Sequence, residues 1–208
     1  YDEKLIGDVW FQMETFGGYA FAKGHSASYA VESYQCMFLK THYPLEFMVA
    51  VINNGGGFFR TEYYIHEARM CGATVHAPDI NKSEVLTTIY GTHIYLGFAL
   101  VADLERKLQE DIILERSRNG AFSSLENFMR RVTVSVDQLR ILIRIRAFRF
   151  TGRTKQELLW DIHSILGHQK KSVARRELFE GENKKYDLPE LFRDTFDEPR
   201  DEQEILGF

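Results

Sequence analysis

The chain has 208 residues, of which 44% are hydrophobic and 27% are charged, a composition typical of a globular protein with one or two domains. Its formal net charge of -4 lacks the basic excess of most nucleic-acid-binding proteins, so any contact with DNA has to come from a local patch. Two cysteines exclude a disulfide-rich scaffold and fit a reducing compartment, for which we expect a cytoplasmic location, and no apolar run reaches the roughly 20 residues of a membrane span.

Glycine and proline mark the boundaries of the helices predicted in the first part of the chain. Gly17 and Gly18 should end the first helix, because glycine often follows a helix C-terminus, and Pro44 should break the second. A glycine-rich loop follows at residues 53–57. The helices predicted from apolar spacing span residues 2–16, about 25–42, 45–52 and 61–71.

The residue pattern then changes from helical to extended. Residues 75–81 are predicted to be extended. Residues 85–90 and 93–98 are rich in β-branched and aromatic side chains, and Gly91 and Thr92 between them favour a two-residue hairpin turn. This is the one β-hairpin that the sequence predicts, so the predicted fold class is mainly α.

Helical signals return after the hairpin. Three pairs of a Ser or Thr with a Glu or Gln three residues later are typical of capping boxes: Ser123 with Glu126, Ser135 with Gln138, and Thr154 with Glu157. The helices predicted here span residues 101–118, 139–148 and 158–166 and look like small stacked hairpins. Residues 168–208, with eight basic and eleven acidic residues, are expected to form a loosely structured linker with a short helix at 188–196.

A candidate anion site lies in the loop predicted between the first two helices. A helix N-terminus exposes unpaired N–H groups and partial positive charge, which attract anions. Gly24 would let the backbone approach a phosphate closely, Lys23 supplies charge, and His25 and Ser26 supply donors. The spacing is not that of a Walker A loop. A plain glycine turn with a solvated lysine explains the same residues, so both alternatives stay open.

A candidate nucleic-acid surface lies in a basic cluster between residues 140 and 155. Its members are Arg140, Arg144, Arg146, Arg149, Arg153 and Lys155. Arg140 and Arg144 share a helix face, and Phe148 and Phe150 interleave with the cations. Such a surface could bind a phosphate backbone. The alternative is a solvated helix face whose side-chain stems cover apolar neighbours.

Metal binding and nucleophilic catalysis have little support in the sequence. Cys71 and His76 are the closest pair among scattered metal-ligand residues, and no spacing fits a structural zinc site. No serine or cysteine is paired with a convincing base. We therefore predict neither a catalytic residue nor a metal ligand in this chain.

The candidate anion site belongs to a longer stretch that resembles a known family. Residues 16–30 resemble the F-x-G-Y-G-F-x-K-S-H-A-x-x-Y-A segment of bacterial DNA polymerase III alpha subunits, the C-family replicative polymerases. Further motifs resemble the family in the same order at residues 33–35, 39–40, 42–44, 46–48, 78–83, 120–128 and 204–208. Because their order and spacing run through nearly the whole chain, the chain is identified by resemblance as a fragment of such a subunit.

The resemblance implies a place within a larger enzyme. Residues 1–80 would form the last part of the fingers domain, 81–167 a tandem helix-hairpin-helix region, and 168–208 a charged linker towards the clamp-binding and oligonucleotide-binding portions. The palm, with its Mg2+-binding aspartates, would lie upstream, so we expect no cofactor in this chain and no polymerase activity from it alone. Implied partners are template-primer DNA, a deoxynucleoside triphosphate, the rest of the polymerase chain and, through the downstream region, the sliding clamp; no membrane partner is expected.

The resemblance also implies roles for the residues of the candidate anion site. In the family, this part of the fingers faces the incoming nucleoside triphosphate. Lys23 would therefore meet phosphate charge, and His25 would donate a hydrogen bond to a phosphate oxygen. Gly24 replaces the family's usual serine, which removes one hydroxyl donor.

The chain departs from the family pattern at both helical hairpins. In the first, Ala102 replaces a lysine, and Asp103 and Glu105 replace glycines that expose backbone N–H groups to DNA. Because acidic side chains repel a polyanion, we predict that this hairpin keeps its helical packing but loses most of its DNA affinity. In the second, Arg146 replaces a glycine, and we hypothesise that DNA binding has moved to the 140–155 cluster.

Two alternatives accompany this identification. Residues 53–59 resemble the N-N-x-x-x-G-F-Y stretch of error-prone alpha-subunit paralogues, so both the main replicase and an auxiliary, damage-tolerant polymerase stay open. The rival from a different class is a stand-alone helical module that binds partner proteins and no DNA.

Overall fold

The computed structural model describes residues 2–20, 23–172 and 196–208. Its α-helices are α1 Glu3–Ala20, α2 Lys23–His42, α3 Pro44–Asn53, α4 Thr61–Met70, α5 Arg106–Asn119, α6 Leu125–Arg131, α7 Val136–Arg144, α8 Lys155–Ser172 and α9 Asp197–Leu206. Its strands are β1 Thr74–His76, β2 Thr88–Tyr90 and β3 His93–Tyr95, and short 3-10 helices span Phe98–Leu100 and Arg149–Thr151. The mainly α fold class predicted from the sequence is confirmed. The chain forms two compact units, Tyr1–Phe47 and Met48–Phe208.

The first unit contains α1 and α2, and its helix boundaries differ from the prediction. Gly17 and Gly18 lie inside α1, which continues to Ala20. A glycine in a helix costs only about 0.5–1 kcal/mol relative to alanine, so two glycines do not by themselves end a helix whose other residues favour it. The second helix starts at Lys23 rather than near His25. In the described part of the chain, no helix is both long and apolar enough to cross a membrane.

The second unit opens with α3, α4 and a small sheet. Pro44 is the first residue of α3, a position that its fixed φ and missing N–H suit, and Gly72 follows α4 with φ 93°. The predicted hairpin of β2 and β3 is confirmed, with Gly91 at φ 62° in its turn. The sequence did not predict β1, which pairs in parallel with β3 and gives the strand order β1-β3-β2. A three-residue strand is too short to show a recognisable period.

The helices α5 to α8 surround one hydrophobic core. Phe122, Phe128 and Phe148 stack edge-to-face there with ring centroids 5.1 Å apart, and all three side chains are buried. Ser135 caps α7 by accepting a hydrogen bond from the Gln138 N–H, and Thr154 and Glu157 form a reciprocal capping box at α8. The core of these helices and the caps of α7 and α8 therefore follow the predicted apolar and capping patterns.

Three predicted boundaries in this region are wrong, and each has a local cause. The helix predicted from residue 101 begins only at Arg106, because residues 101–105 form a turn with Asp103 at φ 58°. The helix predicted to run to residue 148 ends at Arg144, because Arg146 adopts φ 56°. The cap of α6 is Ser124, which accepts from the Asn127 N–H one residue beyond the predicted pair.

The end of the chain is helical, whereas the sequence predicted a loose linker. Helix α9 carries Ile205 and Leu206, which are buried in the core of the second unit. Together with the five acidic residues, these two apolar residues make α9 amphipathic. The linker was predicted from composition alone, in which the many acidic residues obscured the amphipathic pattern. The helix predicted at 188–196 lies, except for its last residue, outside the described residues.

Gly97 lies where two backbone segments meet, directly after the β-hairpin. A Cβ at this position would lie 2.4 Å from the carbonyl carbon of Leu86 and 2.5 Å from the carbonyl oxygen of Val85. Its own N–H donates to the Thr87 hydroxyl. The side chain of any other residue would therefore push two backbone segments apart.

We expect Gly97→Ala to lower the free energy of unfolding by about 1–3 kcal/mol or more, because the clash is with backbone and cannot relax by a rotamer change. The matched control is Gly91→Asn in the hairpin turn, where a new Cβ meets no atom within 4 Å and asparagine tolerates the left-handed backbone. Urea denaturation of both variants measures the difference. Equal midpoints for the two variants would contradict the close approach at Gly97.

Candidate nucleic-acid interface

Two helical hairpins of the second unit end in tips with the same backbone conformation. The first tip is the turn at residues 101–105 before α5, and the second is the turn at 145–148 after α7. Asp103 and Arg146 have φ values of 58° and 56° and are the non-glycine residues with positive φ in the described part of the chain. Both occupy positions where the sequence resemblance placed a glycine, so the predicted retention of hairpin packing at the first tip agrees with the fold.

The first tip has its backbone groups occupied within the chain. The N–H of Ala102 donates to the carbonyl oxygen of Ile205 at 2.9 Å. The amide of Gln138 accepts from the Glu105 N–H at 2.9 Å and donates to the Asp103 carbonyl at 2.8 Å. Two backbone donors at this tip are therefore used internally, and the exposed side chains of Asp103 and Glu105 add negative charge. This geometry favours the predicted loss of DNA affinity at the first hairpin.

The second tip presents a positive charge. The backbone N–H groups of Ile145, Arg146 and Ala147 all donate to carbonyls of α7. The Arg146 side chain is 52% exposed and contacts Glu198, itself 50% exposed, at 2.7 Å. An approaching anion would therefore meet the Arg146 guanidinium at this tip and not a row of free backbone N–H groups.

The acidic face of α9 pairs with the cations beside the second tip. Arg144 donates to Asp201 at 2.8 Å and to Glu204 at 2.5 Å, and the Lys155 ammonium lies 2.6 Å from Asp197 and 2.5 Å from Asp201. The side chains of Lys155 and Asp201 are only 8% and 9% exposed. This group of residues is called the α9 network below.

Each charge of the α9 network favours the ionised form of its partner. The hydrogen bond from Arg144 lowers the pKa of Glu204, and that from Lys155 lowers the pKa of Asp197. Hydrogen bonds to Glu204 and then Asp201 raise the pKa of Arg144. Burial lowers the pKa of Lys155, but hydrogen bonds to Asp197 and Asp201 outweigh it, so the net pKa is raised.

The remaining cations of the predicted cluster also have carboxylate partners. Arg140 pairs with Asp137 on its own helix, and Arg153 pairs with Asp161. Arg149 donates to the carbonyls of Ala77 and Pro78 as well as to Asp79. Each of the six predicted DNA-binding residues therefore has an acidic partner in the chain. Arg149 in particular holds the segment between β1 and β2 in place.

The predicted phosphate-binding residues of the first unit form the opening turn of α2. Lys23, Gly24, His25 and Ser26 are exposed, and this turn contains no acidic residue. The His25 ring lies 5.7 Å from the Tyr29 ring one turn later. The structure therefore places these four residues in a helix rather than in a loop, as the first described residues of α2.

The sequence did not predict which residues of the chain contact the two tips. Gln138 was interpreted only as the partner of Ser135 in a cap, and no local pattern indicates that its amide reaches the first tip. The acids of α9 did carry a signal: Asp197, Asp201 and Glu204 recur at spacings of four and three residues, which is typical of one helix face.

Possible metal ligands are not gathered in the described part of the chain. There, no group of three or more His, Cys, Asp or Glu residues is arranged to hold a metal ion. The nearest approach pairs His76 with His93 across β1 and β3, with ring nitrogens 3.0 Å apart, and does not involve Cys71. Burial and then the charges around it lower the pKa of His76.

Acid should weaken the attachment of α9. Asp197 and Glu204 have folded pKa values below their usual values of 3.8 and 4.5, so their stabilising effect is present above those values and is lost as the pH falls through the folded values. We expect the melting temperature to fall below about pH 4.5. Glu204→Gln should reduce that fall, whereas Glu202→Gln on the same helix should not. Identical pH profiles for Glu204→Gln and the wild type would contradict this prediction.

Comparison with known proteins gives these hairpins a family context. A family model described as a helix-hairpin-helix motif matches residues 72–158, which include both tips. An error-prone DNA polymerase of Mycolicibacterium paratuberculosis is 31% identical over 161 residues, or 76% of this chain and 15% of that protein. The DNA polymerase III subunit alpha of Aquifex aeolicus is 28% identical over 212 aligned positions, covering 100% of this chain and 18% of the relative.

A third relative, the DNA polymerase III subunit alpha of Thermus aquaticus, is 35% identical over 141 residues, or 67% of this chain and 12% of that protein. The chain thus spans less than a fifth of the length of these relatives. Main alpha subunits and error-prone polymerases match it to a similar degree. Because both kinds align across the hairpins described above, the chain belongs to the family of bacterial DNA polymerase III alpha subunits and error-prone DNA polymerases, of which it represents a segment.

Proposed function

We propose that this chain is the part of a DNA-directed DNA polymerase that contacts phosphates of the duplex DNA and of the incoming nucleotide. In this proposal the catalytic palm and its Mg2+ ions belong to other parts of the enzyme, so the chain positions substrates and does no chemistry itself. Its partners are template-primer DNA, a deoxynucleoside triphosphate, the rest of the polymerase chain and, through the downstream region, the sliding clamp. We place this enzyme in the cytoplasm.

The observation that carries the DNA-binding proposal is the contrast between the two hairpin tips. Both tips share a left-handed residue, but Asp103 gives the first a negative charge and Arg146 gives the second a positive one. Guanidinium groups bind phosphate oxygens through short, charge-assisted hydrogen bonds. The second hairpin is therefore the tip that suits a DNA backbone.

The six cations of the cluster differ in how easily they could exchange a carboxylate for a phosphate. Arg140 and Arg146 are 44% and 52% exposed and pair with exposed acids, and such surface pairs contribute only about 0–1 kcal/mol. Arg153 is 38% exposed, so the ease with which it could exchange its carboxylate for a phosphate is intermediate. Arg144 and Lys155 are held by the α9 network, and Arg149 by backbone carbonyls. We therefore assign first contact with DNA to Arg140 and Arg146.

The nucleotide-binding part of the proposal rests on the first turn of α2. Lys23, His25 and Ser26 offer an ammonium, an imidazole and a hydroxyl on the exposed first described turn of α2, and Gly24 leaves open space around the backbone. These groups match the charge and hydrogen-bond acceptors of a triphosphate.

A second candidate function is protein binding, because α1 and α2 expose large apolar side chains. Among the most exposed are Trp10, Phe11, Phe16, Tyr34 and Met37. Contiguous exposed apolar residues are typical of interaction surfaces. Within a polymerase the same surfaces would pack against the rest of the polymerase chain, so this observation is compatible with both functions.

We expect Arg140→Ala combined with Arg146→Ala to weaken duplex DNA binding and to reduce the salt slope of the affinity by about 0.9 for each lost phosphate contact. Fluorescence anisotropy with labelled duplex at several salt concentrations measures both quantities. The matched control is Arg106→Ala beside the first tip, an exposed arginine that also pairs with an acid on its own helix. The proposal fails if the double variant binds like the wild type, or if Arg106→Ala causes an equal loss.

The nucleotide contact can be tested separately with inorganic tripolyphosphate. We expect its addition to shift the backbone amide NMR signals of residues 23–26, because the anion would bind to the Lys23 ammonium and the His25 imidazole. Lys23→Ala combined with His25→Ala should remove these shifts, and Lys4→Ala in α1 should leave them in place. Shifts that persist in the double variant would refute the assignment of this site.

A further inference from the structure

Helix α9 contacts both hairpin tips at once. At the first tip, the Ile205 carbonyl accepts the Ala102 N–H. At the second tip, Glu198 pairs with Arg146, and the α9 network holds Arg144 and Lys155. The surface that the proposed function assigns to DNA is therefore in contact with an acidic helix of the same chain.

The charge of α9 resembles that of a short piece of DNA backbone. Its ten residues include five acids and one base. The acids that pair with cations extend from Asp197 to Glu204, about 10 Å along the helix axis, a length over which one DNA strand places about three phosphates. Four carboxylates pair with cations over that length: Asp197 and Asp201 with Lys155, Asp201 and Glu204 with Arg144, and Glu198 with Arg146.

The attachment of α9 is uneven along its length. Its buried apolar residues, Ile205 and Leu206, both lie in the last turn. Towards its start, the described contacts of Asp197 and Glu198 are ion pairs with Lys155 and Arg146. The first turns of α9 are therefore held mainly by charge, and a stronger polyanion can compete for the same partners.

We propose that α9 is an intramolecular competitor of DNA: in the free chain its acidic face occupies Arg144 and Lys155 and pairs with the half-exposed Arg146, and duplex DNA displaces it to gain the full set of cations. This inference rests on the proposed DNA-binding function. With α9 in place, DNA reaches Arg140 and Arg146; with the start of α9 displaced, Arg144 and Lys155 are added. Ile205 and Leu206 keep the end of the helix attached to the core.

The test is a charge-removal variant of α9 in the full 208-residue chain, Asp197→Asn with Glu198→Gln and Glu204→Gln, which leaves the buried Asp201 intact. We expect duplex DNA to bind about tenfold more tightly or better, with a steeper salt slope, because Arg146 loses its acidic partner Glu198 and Arg144 and Lys155 each keep only Asp201. The matched control removes three acids that have no cation partner in the described structure, by Glu3→Gln with Asp8→Asn and Glu202→Gln, and therefore changes the net charge equally. The control should bind like the wild type.

The outcomes separate this inference from the proposed function. If the α9 variant binds no better than its control while Arg140→Ala with Arg146→Ala still weakens binding, the competition is refuted and the DNA-binding function stands. If the arginine variant has no effect in either background, the function fails and the competition fails with it.

Amide hydrogen exchange of the unaltered chain gives a second measurement that does not depend on whether the variant folds. The competition predicts that saturating duplex DNA accelerates exchange in the first half of α9, while the amides of α7 do not accelerate. Exchange in α9 that is unchanged or slower with DNA bound would overturn the proposal.

Discussion

The two hairpin tips depend on a left-handed backbone at residues that are not glycine. For Asp103 and Arg146 this conformation costs about 1–2 kcal/mol each, because the Cβ approaches the following carbonyl oxygen. The fold tolerates this strain because the flanking residues are held in place: Leu104, Ile145 and Ala147 are buried in one core. A glycine at the tip would expose backbone alone, whereas these residues place an acid at one tip and a base at the other.

Local chemistry in the sequence predicted much of the fold. The turn at Gly91, the caps at Ser135 and Thr154 and the start of α3 at Pro44 each depend on residues within one turn of each other, and each is present. The resemblance added the positions of the missing hairpin glycines. It could not show that the backbone there keeps the glycine conformation, because that conformation depends on the burial of the flanking residues in the core, which no local pattern indicates.

The parts of the candidate site that the sequence did not predict are joined over long separations. Gln138 reaches Asp103 and Glu105 across more than 30 residues, and Arg149 reaches Asp79 across 70. Sequence spacing grouped the six cations along the chain but contained no information on their partners. A cation paired with a buried carboxylate differs physically from a cation in water. Only the folded structure therefore shows which cations of the cluster are held by the protein and which are available to bind phosphate.

The structure shows where in the chain the net negative charge is located. The whole chain carries a formal charge of -4, which argued against nucleic-acid binding by the chain as a whole. Helix α9 alone, with five acids and one base, accounts for that excess, and the remaining residues are formally neutral. The acidic excess is concentrated on one helix, which is attached to the second tip partly by ion pairs. In the net charge, these acids cancel the cations of the second tip. In the folded chain, the same acids cover those cations.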